Sequence, residues 1–298
     1  MPTIDEKRVY TDNTGTETVF VATGAGAVAV SVSDDLVGGF GIAHRCAARD
    51  VAAGGGTLAV AADEDVFRAD LTAAGGAGAD EGGDAATDAE AAEGALDFEA
   101  TGFGPAAAVG FDGESLLAGD DEGRVARLDA GEKAGSEESG ESGAGAWTDL
   151  GRVGGVRAAD GPLVAAADGV YRVDDGLSHV GLDDARDVAG SEPLAATGTG
   201  LYKLGNGWMD VLDGEFEAVS ARDGRAHAAG GGDLYARDDG GEWSREPLPV
   251  GGDVAAVTHG RGATYAVTDA GTFLVRLPGE EWRHQILGLR GVAAAAAV

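Results

Sequence analysis

The chain has 298 residues and carries 52 Asp and Glu against 21 Lys and Arg, which gives a formal net charge of −31. This charge argues against a nucleic-acid binder and against docking on an anionic membrane, because both need clustered Lys and Arg. The single cysteine, Cys46, excludes an internal disulfide and a zinc site built from several cysteines.

The predicted elements begin with three strand-like runs near the N-terminus, at residues 18–22, 27–31 and 39–43. A short strand of Val and small residues then recurs seven times, at 51–53, 106–109, 156–159, 188–190, 218–221, 254–257 and 292–295. Gly- or Asp-rich turns and further strand-like runs follow these copies, which is the pattern of antiparallel hairpins. No stretch shows the 3.6-residue apolar period of a capped helix. We therefore predict an all-β repeat protein.

Two acidic segments interrupt the repeat, at residues 72–97 and 131–146. Both consist mostly of acidic and small residues, and neither can bury enough apolar surface to offset the entropy cost of ordering. We predict that they are flexible acidic loops inserted into a single domain that spans residues 1–298. When they are set aside, the copies recur about every 30 to 38 residues.

Seven antiparallel units of this length predict a single seven-bladed β-propeller, with six or eight blades as the alternatives. The recurring strand is rich in Ala, Val and Gly, which suits the innermost strand, where blades crowd around the axis. The copy at 292–295 lacks the rest of its blade, and the three N-terminal runs lack an inner strand. We expect these chain ends to pair and close the ring, which removes two open sheet edges.

Some turns resemble the Asp-box repeats, whose pattern is Ser/Thr-x-Asp-x-Gly-x-x-Trp. Residues 236–243 match that pattern at Asp238, Gly240 and Trp243. Partial matches occur at 172–179 and 275–282. In that family the box is a structural turn between outer strands, so the resemblance implies folding roles for Asp238 and Trp243 rather than catalytic ones.

The chain as a whole resembles an uncharacterised haloarchaeal β-propeller family with degenerate Asp-box or WD40-like repeats. The resemblance includes the string ARDVA, which occurs at both 48–52 and 185–189, and the acidic loops. It covers most of the chain and implies a propeller fold without a particular activity.

The charge also indicates a salt-adapted protein, with a mesophilic acidic protein as the alternative. Only three of the 21 basic residues are lysines, and the acidic residues are spread over the whole chain. Repulsion at this net charge opposes the compact state, and molar salt screens it by shortening the Debye length to about 3 Å. The N-terminus has no apolar signal segment. We therefore expect a soluble, cytoplasmic protein.

Two enzyme classes that use propellers provide alternatives to a binding role. A sialidase-like reaction needs a tyrosine nucleophile, but Tyr171, Tyr202 and Tyr235 occupy equivalent repeat positions, which indicates packing. A lactonase-like Ca²⁺ site could be built from Asp50, Asp187 and Asp253, although capping of blade junctions is the simpler interpretation of these carboxylates. The five histidines lack zinc-site spacing, and no GxSxG motif is present. We therefore assign no catalytic residue, metal or cofactor.

The candidate ligand- or partner-binding residues lie at one mouth of the propeller channel, where the inner strands begin. They are Arg49, Asp50, Arg157, Arg186, Asp187, Asp253 and Arg290. Mixed Arg and Asp at a rim suits recognition of a charged ligand or protein, and salt bridges between blades are the alternative. We predict a non-catalytic scaffold that binds a protein or small ligand on its face; the alternative is a metal-assisted or carboxylate-dependent hydrolase acting at the channel mouth.

Overall fold

The computed structural model describes residues 16–74, 96–129 and 147–298. They form seven four-stranded antiparallel sheets, which are the blades of a single propeller, and a one-turn helix, α1 (Leu71–Ala74). The prediction of seven blades is confirmed. In blades 2 to 7 the chain runs from the inner strand outward, so consecutive strands are neighbours; short turns join them except before the outermost strands of blades 2 and 3.

Blades are numbered here in chain order. Blade 1 contains β1 (Thr16–Thr23), β2 (Gly26–Ser33), β3 (Leu36–His44) and the C-terminal β28 (Ala294–Ala297). Blade 2 contains β4 (Ala48–Gly54), β5 (Thr57–Ala62), β6 (Val66–Asp70) and β7 (Glu99–Ala100). Blade 3 contains β8 (Ala108–Asp112), β9 (Ser115–Gly119), β10 (Arg124–Leu128) and β11 (Thr148–Arg152).

The remaining four blades are each built from a continuous stretch of chain. Blade 4 contains β12 (Val156–Asp160), β13 (Leu163–Ala166), β14 (Gly169–Val173) and β15 (Leu177–Gly181), and blade 5 contains β16 (Ala185–Ala189), β17 (Leu194–Thr197), β18 (Gly200–Leu204) and β19 (Trp208–Asp213). Blade 6 contains β20 (Ala218–Arg222), β21 (Arg225–Gly230), β22 (Asp233–Arg237) and β23 (Trp243–Glu246), and blade 7 contains β24 (Val254–His259), β25 (Thr264–Thr268), β26 (Thr272–Arg276) and β27 (Arg283–Ile286).

The ring is closed in blade 1 by the two ends of the described chain. Strand β28 pairs antiparallel with β1, with Val19 opposite Ala297 and Ala22 opposite Ala294. This confirms the expected closure, with a small shift of the boundary. The strand begins at Ala294 rather than at residue 292, and Ala293 precedes it with its N–H bonded to the carbonyl of Ala22.

The inner strands β4, β8, β12, β16, β20, β24 and β28 contact one another in a closed circle around the axis. Their small side chains allow this close approach. A Cβ atom added at Gly110 of β8, for example, would collide with the backbone carbonyl of Ala159 in β12. The recurring small residues of the sequence therefore mark the crowded centre of the ring.

The hydrophobic core lies between the faces of neighbouring blades, and the second strands, such as β5, β13 and β17, are buried on both faces. Tyr265 and Phe273 are the largest fully buried side chains, and leucines of the second and third strands of several blades accompany them. Most of the two predicted acidic loops, at residues 75–95 and 130–146, lies outside the described residues. Among the residues described, no helix is long and apolar enough to cross a membrane.

Candidate functional site

A channel of about 320 Å³ runs along the propeller axis and is lined mainly by Ala and Val of the inner strands. Since every blade repeats the same strand order, all inner strands run in the same direction along it. We call the end where they begin the N-terminal mouth and the end where they finish the C-terminal mouth. Polar side chains lie near both ends, among them Arg49 and Arg186 at the first and Arg222 and His259 at the second.

A β-bulge near the start of the inner strand determines which residue faces the N-terminal mouth. In blades 2, 4, 5 and 7 the register shifts after the first residue of the inner strand, which is residue 48, 156, 185 or 254. This shift makes Arg49, Arg157, Arg186 and Ala255 equivalent around the ring. The sequence pattern grouped Asp253 with Asp50. Asp253 precedes its strand, however, so the two residues are not equivalent.

The three arginines at this mouth form ion pairs between neighbouring blades. Arg49 donates two hydrogen bonds to Asp121 of blade 3, at 2.5 and 2.8 Å. Arg157 of blade 4 lies 2.5 Å from Asp184, which directly precedes the inner strand of blade 5. These contacts correspond to the inter-blade salt bridges that were the alternative to ligand recognition.

Arg186 of blade 5 makes the same kind of contact with blade 6. It pairs with Glu217 and lies 3.4 Å from Glu215, both of which precede β20. Neighbouring carboxylates raise the pKa of Arg186. The guanidinium of Arg157 lowers the pKa of Asp184. Arg186 and Asp184 therefore both stay charged. All three guanidinium groups therefore already have acidic partners within the propeller.

Asp50 and Asp187 connect neighbouring inner strands through the backbone. Asp50 accepts hydrogen bonds from the N–H of Val51, at 2.8 Å, and of Val109 in blade 3, at 2.9 Å. Asp187 accepts them from Val188, at 2.8 Å, and from Val219 in blade 6, at 2.7 Å. These carboxylates cap blade junctions, which was the simpler of their two interpretations.

Burial among the inner strands raises the pKa of both carboxyl groups, to about 8 for Asp50 and about 7 for Asp187. The backbone N–H groups that they accept oppose this shift because they favour the ionised form. Within the described parts of the chain, no three His, Cys, Asp or Glu side chains are grouped so that they could hold a metal ion.

The last two predicted residues lie away from the channel lining. Asp253 is exposed on the turn before β24, where its backbone bonds to Asp269. Arg290 is also exposed, and it lies at the edge of a second cavity between blades 1 and 7. Binding of a ligand or partner by any of the seven residues remains a prediction.

This second cavity is an apolar groove of about 620 Å³ on the side of the N-terminal mouth. Val28, Phe40, Ile42 and Leu289 supply its apolar surface, together with backbone of the turns at 23–25 and 288–291. Phe40 is 38% exposed, and Ile286, at the end of the neighbouring strand β27, is 75% exposed. Sequence reasoning missed this groove because its two walls are more than 240 residues apart in the chain.

Sequence reasoning also missed a polar network between blades 6 and 7. Ser220 Oγ lies 2.9 Å from His259 Nδ1, and His259 Nε2 lies 2.8 Å from His227 Nδ1. His227 Nε2 lies 3.2 Å from Glu246 Oε2. Burial lowers the pKa of both imidazoles, to about 2 for His259, so both are neutral at neutral pH. The available signal was a histidine in each of two adjacent repeats.

The segment that resembles an Asp box forms the turn between β22 and β23. Asp238 Oδ1 accepts the N–H of Glu242 at 2.9 Å, and the carbonyl of Asp238 accepts the N–H of Gly241 at 3.0 Å. Trp243 then begins β23 and packs against the core of blades 5 and 6. Both residues therefore stabilise the outer hairpin.

Solved structures with similar folds come from several functional classes. The WD40 β-propeller domain of Doa1 aligns with a TM-score of 0.57 and 13% identity, covering 92% of this chain and 88% of that one. YCF48 bound to D1 peptide aligns with a TM-score of 0.54 and 12% identity, covering 92% and 86%. Virginiamycin B lyase from Staphylococcus aureus aligns with a TM-score of 0.58 and 8% identity, covering 82% and 85%. At these identities the similarity shows the fold alone.

Comparison with curated proteins found no match. A protein-family model described as "Beta-prop_HVO_0234:-like, beta propeller" matches residues 3–298, which is nearly the whole chain. The description of the family agrees with the propeller fold of the structure. The chain therefore belongs to this HVO_0234-like β-propeller family.

Proposed function

We propose that the protein is a binding module that holds a segment of a partner protein in the groove between blades 1 and 7. The observation that carries this proposal is the apolar groove itself, with Phe40 exposed within it and Arg290 at its edge. Contiguous apolar surface of this kind commonly marks an interaction site. A propeller by itself specifies no reaction, so the site rather than the fold supports the function.

The charges around the groove indicate the chemistry of the partner. The arginines of the N-terminal mouth are bound to acidic side chains, whereas no carboxylate of the described residues forms an ion pair with Arg290. A charged group next to an apolar surface gives orientation and specificity to binding. The partner segment therefore carries an apolar side chain for the groove and an Asp or Glu next to it for Arg290.

Two further observations support a binding role over the alternative hydrolase at the channel mouth. Asp50 and Asp187 accept backbone N–H groups, and Asp121 and Asp184 pair with arginines, so these four groups already have partners within the propeller. In addition, the similar propeller YCF48 is seen bound to a peptide.

We also place this function in a cytoplasm with molar salt. The support is the charge of −31 with only three lysines among the basic residues. Apolar contacts keep their strength when charges are screened, so a mainly apolar groove suits such a cell. The Arg290 contact then contributes more to specificity than to affinity.

The test is selection from a random peptide library displayed on phage, with the refolded protein in molar KCl as bait. We expect enrichment of peptides with an Asp or Glu close to an apolar residue. Affinity for a selected peptide, measured by fluorescence anisotropy, should fall about tenfold or more in Phe40→Ser, and Arg290→Glu should abolish the preference for peptides with an Asp or Glu. The matched control is Arg172→Glu, an exposed arginine of β14 outside the groove, which should bind as the wild type does.

A folded protein that enriches no peptide would contradict the proposal. Peptides whose binding is unchanged in both groove variants would also contradict it, because they would bind elsewhere. If binding is confirmed, an affinity pull-down from the host lysate at molar KCl then identifies the partner, with the two groove variants as negative controls.

A further inference from the structure

A chain of polar side chains crosses the interface between blades 6 and 7 and ends at the central channel. It runs from Glu246 on the outer strand β23, through His227 and His259, to Ser220 on the inner strand β20. His227 is 3% exposed and His259 is 2% exposed, while Ser220 is half-buried and lines the channel. The buried part therefore leads to a hydroxyl that a small molecule in the channel can reach.

The repeats show that packing does not require these polar groups. Ser220 and His227 are directly opposite each other in the β20–β21 pair, two pairs back from the end of the hairpin. The corresponding pairs in blades 2, 3 and 4 are apolar, namely Ala52 with Ala59, Gly110 with Leu117, and Ala158 with Ala165. Burying polar groups costs free energy that blades 2, 3 and 4 avoid at this position, so blade 6 keeps its pair for another reason.

The contacts of Glu246 determine where the protons lie. Its Oε1 accepts hydrogen bonds from Arg276 and from Trp282 Nε1, whereas Oε2 has no other hydrogen-bond partner among the described residues and lies 3.2 Å from His227 Nε2. Arg276 Nη2, which can only donate, lies 3.3 Å from the same Nε2, so a proton on Nε2 satisfies the otherwise unpaired Oε2 at the expense of this longer contact. A proton on His227 Nε2 gives the buried Oε2 its donor.

This proton sets the direction of the whole chain. With Nε2 protonated, His227 Nδ1 is an acceptor and receives the Nε2–H of His259. His259 Nδ1 is then also an acceptor, and the hydroxyl of Ser220 donates to it across 2.9 Å. A serine whose proton points to an imidazole, which is in turn oriented by a second group, is the arrangement of an activated nucleophile.

We propose that Ser220 is the nucleophile of an acyl-transfer site that hydrolyses esters of short acyl groups in the channel, with His259 relaying its proton to His227. His259 stays neutral throughout, His227 is the final proton acceptor, and Glu246 is a positioning residue that acts through His227. The cavity of about 320 Å³ limits the substrate to a small ester. This site is separate from the groove of blades 1 and 7, so it does not depend on the proposed binding function.

The reaction balances without a metal or redox partner. Ser220 Oγ forms a bond to the ester carbonyl carbon while its proton passes to His259 Nδ1. The Nε2 proton of His259 passes at the same time to His227 Nδ1, which brings the positive charge next to the Glu246 carboxylate. Return of the protons expels the alcohol, and water then attacks the acyl-enzyme by the same path and releases the carboxylic acid.

Arg222 is positioned to bind the carbonyl oxygen in this reaction. It lies two residues after Ser220, so both side chains project from the same face of β20. Its guanidinium lines the channel, and Nη1 donates to the carbonyl of His259 at 3.2 Å. Its Nε lies 3.7 Å from Asp223 Oδ2, so the Nη2 N–H groups are the ones left for an oxyanion.

The first test is labelling with a fluorophosphonate probe, which reacts with activated serines, in molar KCl. We expect one adduct per chain, located by peptide mapping at Ser220, and its loss in Ser220→Ala. Hydrolysis of p-nitrophenyl acetate should fall about 100-fold or more in the same variant. Ser244→Ala is the matched control, because Ser244 is an exposed serine of the same blade, and it should leave both readouts unchanged.

The second test addresses the positioning residue through the pH profile. In Glu246→Gln the imidazolium at His227 loses its neighbouring negative charge and keeps the positive charges of Arg225 and Arg276, so the acidic limb of the pH–rate profile should move to lower pH and the maximal rate should fall. A purely structural role would lower the active fraction without moving the limb. The proposal is overturned if the folded wild type forms no adduct, or if the adduct persists in Ser220→Ala.

Discussion

Neighbouring inner strands are joined by different chemistry at two junctions of the ring. Between blades 2 and 3, the carboxylate of Asp50 accepts N–H groups of both strands. Between blades 6 and 7, Ser220 of one strand contacts His259 of the other, and His227 supports it from behind. We call these the Asp50 junction and the His259 junction.

Burial acts in opposite directions at the two junctions. It penalises the charged form of any group, so it raises the pKa of Asp50 to about 8 and lowers that of His259 to about 2. At the Asp50 junction, backbone N–H groups alone provide the hydrogen-bond donors for the carboxyl group, and every repeat has such N–H groups. The His259 junction needs side chains from four different strands, and only such a side-chain network can carry protons.

The largest expected effect comes from opening the ring that both junctions share. Deletion of residues 291–298 removes β28 and leaves β1 as an open edge in blade 1. We expect loss of the cooperative unfolding transition in molar KCl, measured by circular dichroism during thermal melting. A folded truncated protein would mean that the junctions hold the blades without closure.

The second prediction concerns the Asp50 junction. Asp50→Ala leaves the N–H groups of Val51 and Val109 without their acceptor, which should lower the free energy of unfolding by about 2–3 kcal/mol. The matched control is Asp121→Ala, which removes an exposed carboxylate at the same blade interface and should cost no more than about 1 kcal/mol. Denaturant titration of both variants measures the difference, and equal effects would contradict the backbone-capping role.

The third prediction separates the junctions by pH. The pKa of Asp50 is raised in the fold, so its contribution to stability is present at low pH and is lost as the pH rises through about 8. The pKa of His259 is lowered from 6.5, so its contribution is present above pH 6.5 and is lost as the pH falls towards about 2. The free energy of unfolding should change by about 1.4 kcal/mol per pH unit, between pH 3.8 and about 8 for Asp50 and between pH 6.5 and about 2 for His259.

The measurement compares the wild type with Asp50→Asn and His259→Gln in denaturant titrations from pH 4.5 to 8. As the pH falls, the stability advantage of the wild type over Asp50→Asn should grow. Its advantage over His259→Gln should shrink once the pH is below 6.5. The same sign for both variants would show that burial does not control these two groups.

The smallest expected effect is at the arginines of the N-terminal mouth. Arg157→Ala removes a partly exposed ion pair with Asp184, which should cost no more than about 1 kcal/mol at low salt. In molar KCl the cost should disappear because the charges are screened. A cost that persists in salt would assign Arg157 a packing role through its hydrogen bond to the carbonyl of Ala185.

Much of the fold could be predicted from the sequence because its signals are local. The small inner strand, its Gly- and Asp-rich turn and the following runs recur within each repeat, so counting the copies predicts seven blades, and the structure excludes the alternatives of six and eight. The pairing of the chain ends also follows, since one incomplete blade at each end leaves no other partner. Capping of blade junctions was one of two interpretations of Asp50 and Asp187. Their hydrogen bonds to the N–H groups of neighbouring inner strands agree with that interpretation.

The sequence by itself therefore determined the propeller, its seven blades, its closure and its strongly acidic surface, because composition and short repeats encode these properties. Only the tertiary structure decided which side chains meet. The bulge that separates Asp253 from Asp50, the groove between Phe40 and Leu289, and the contact of His227 with His259 all depend on how neighbouring strands and blades align. Such contacts join distant parts of the chain, and periodicity along the sequence carries no information about them.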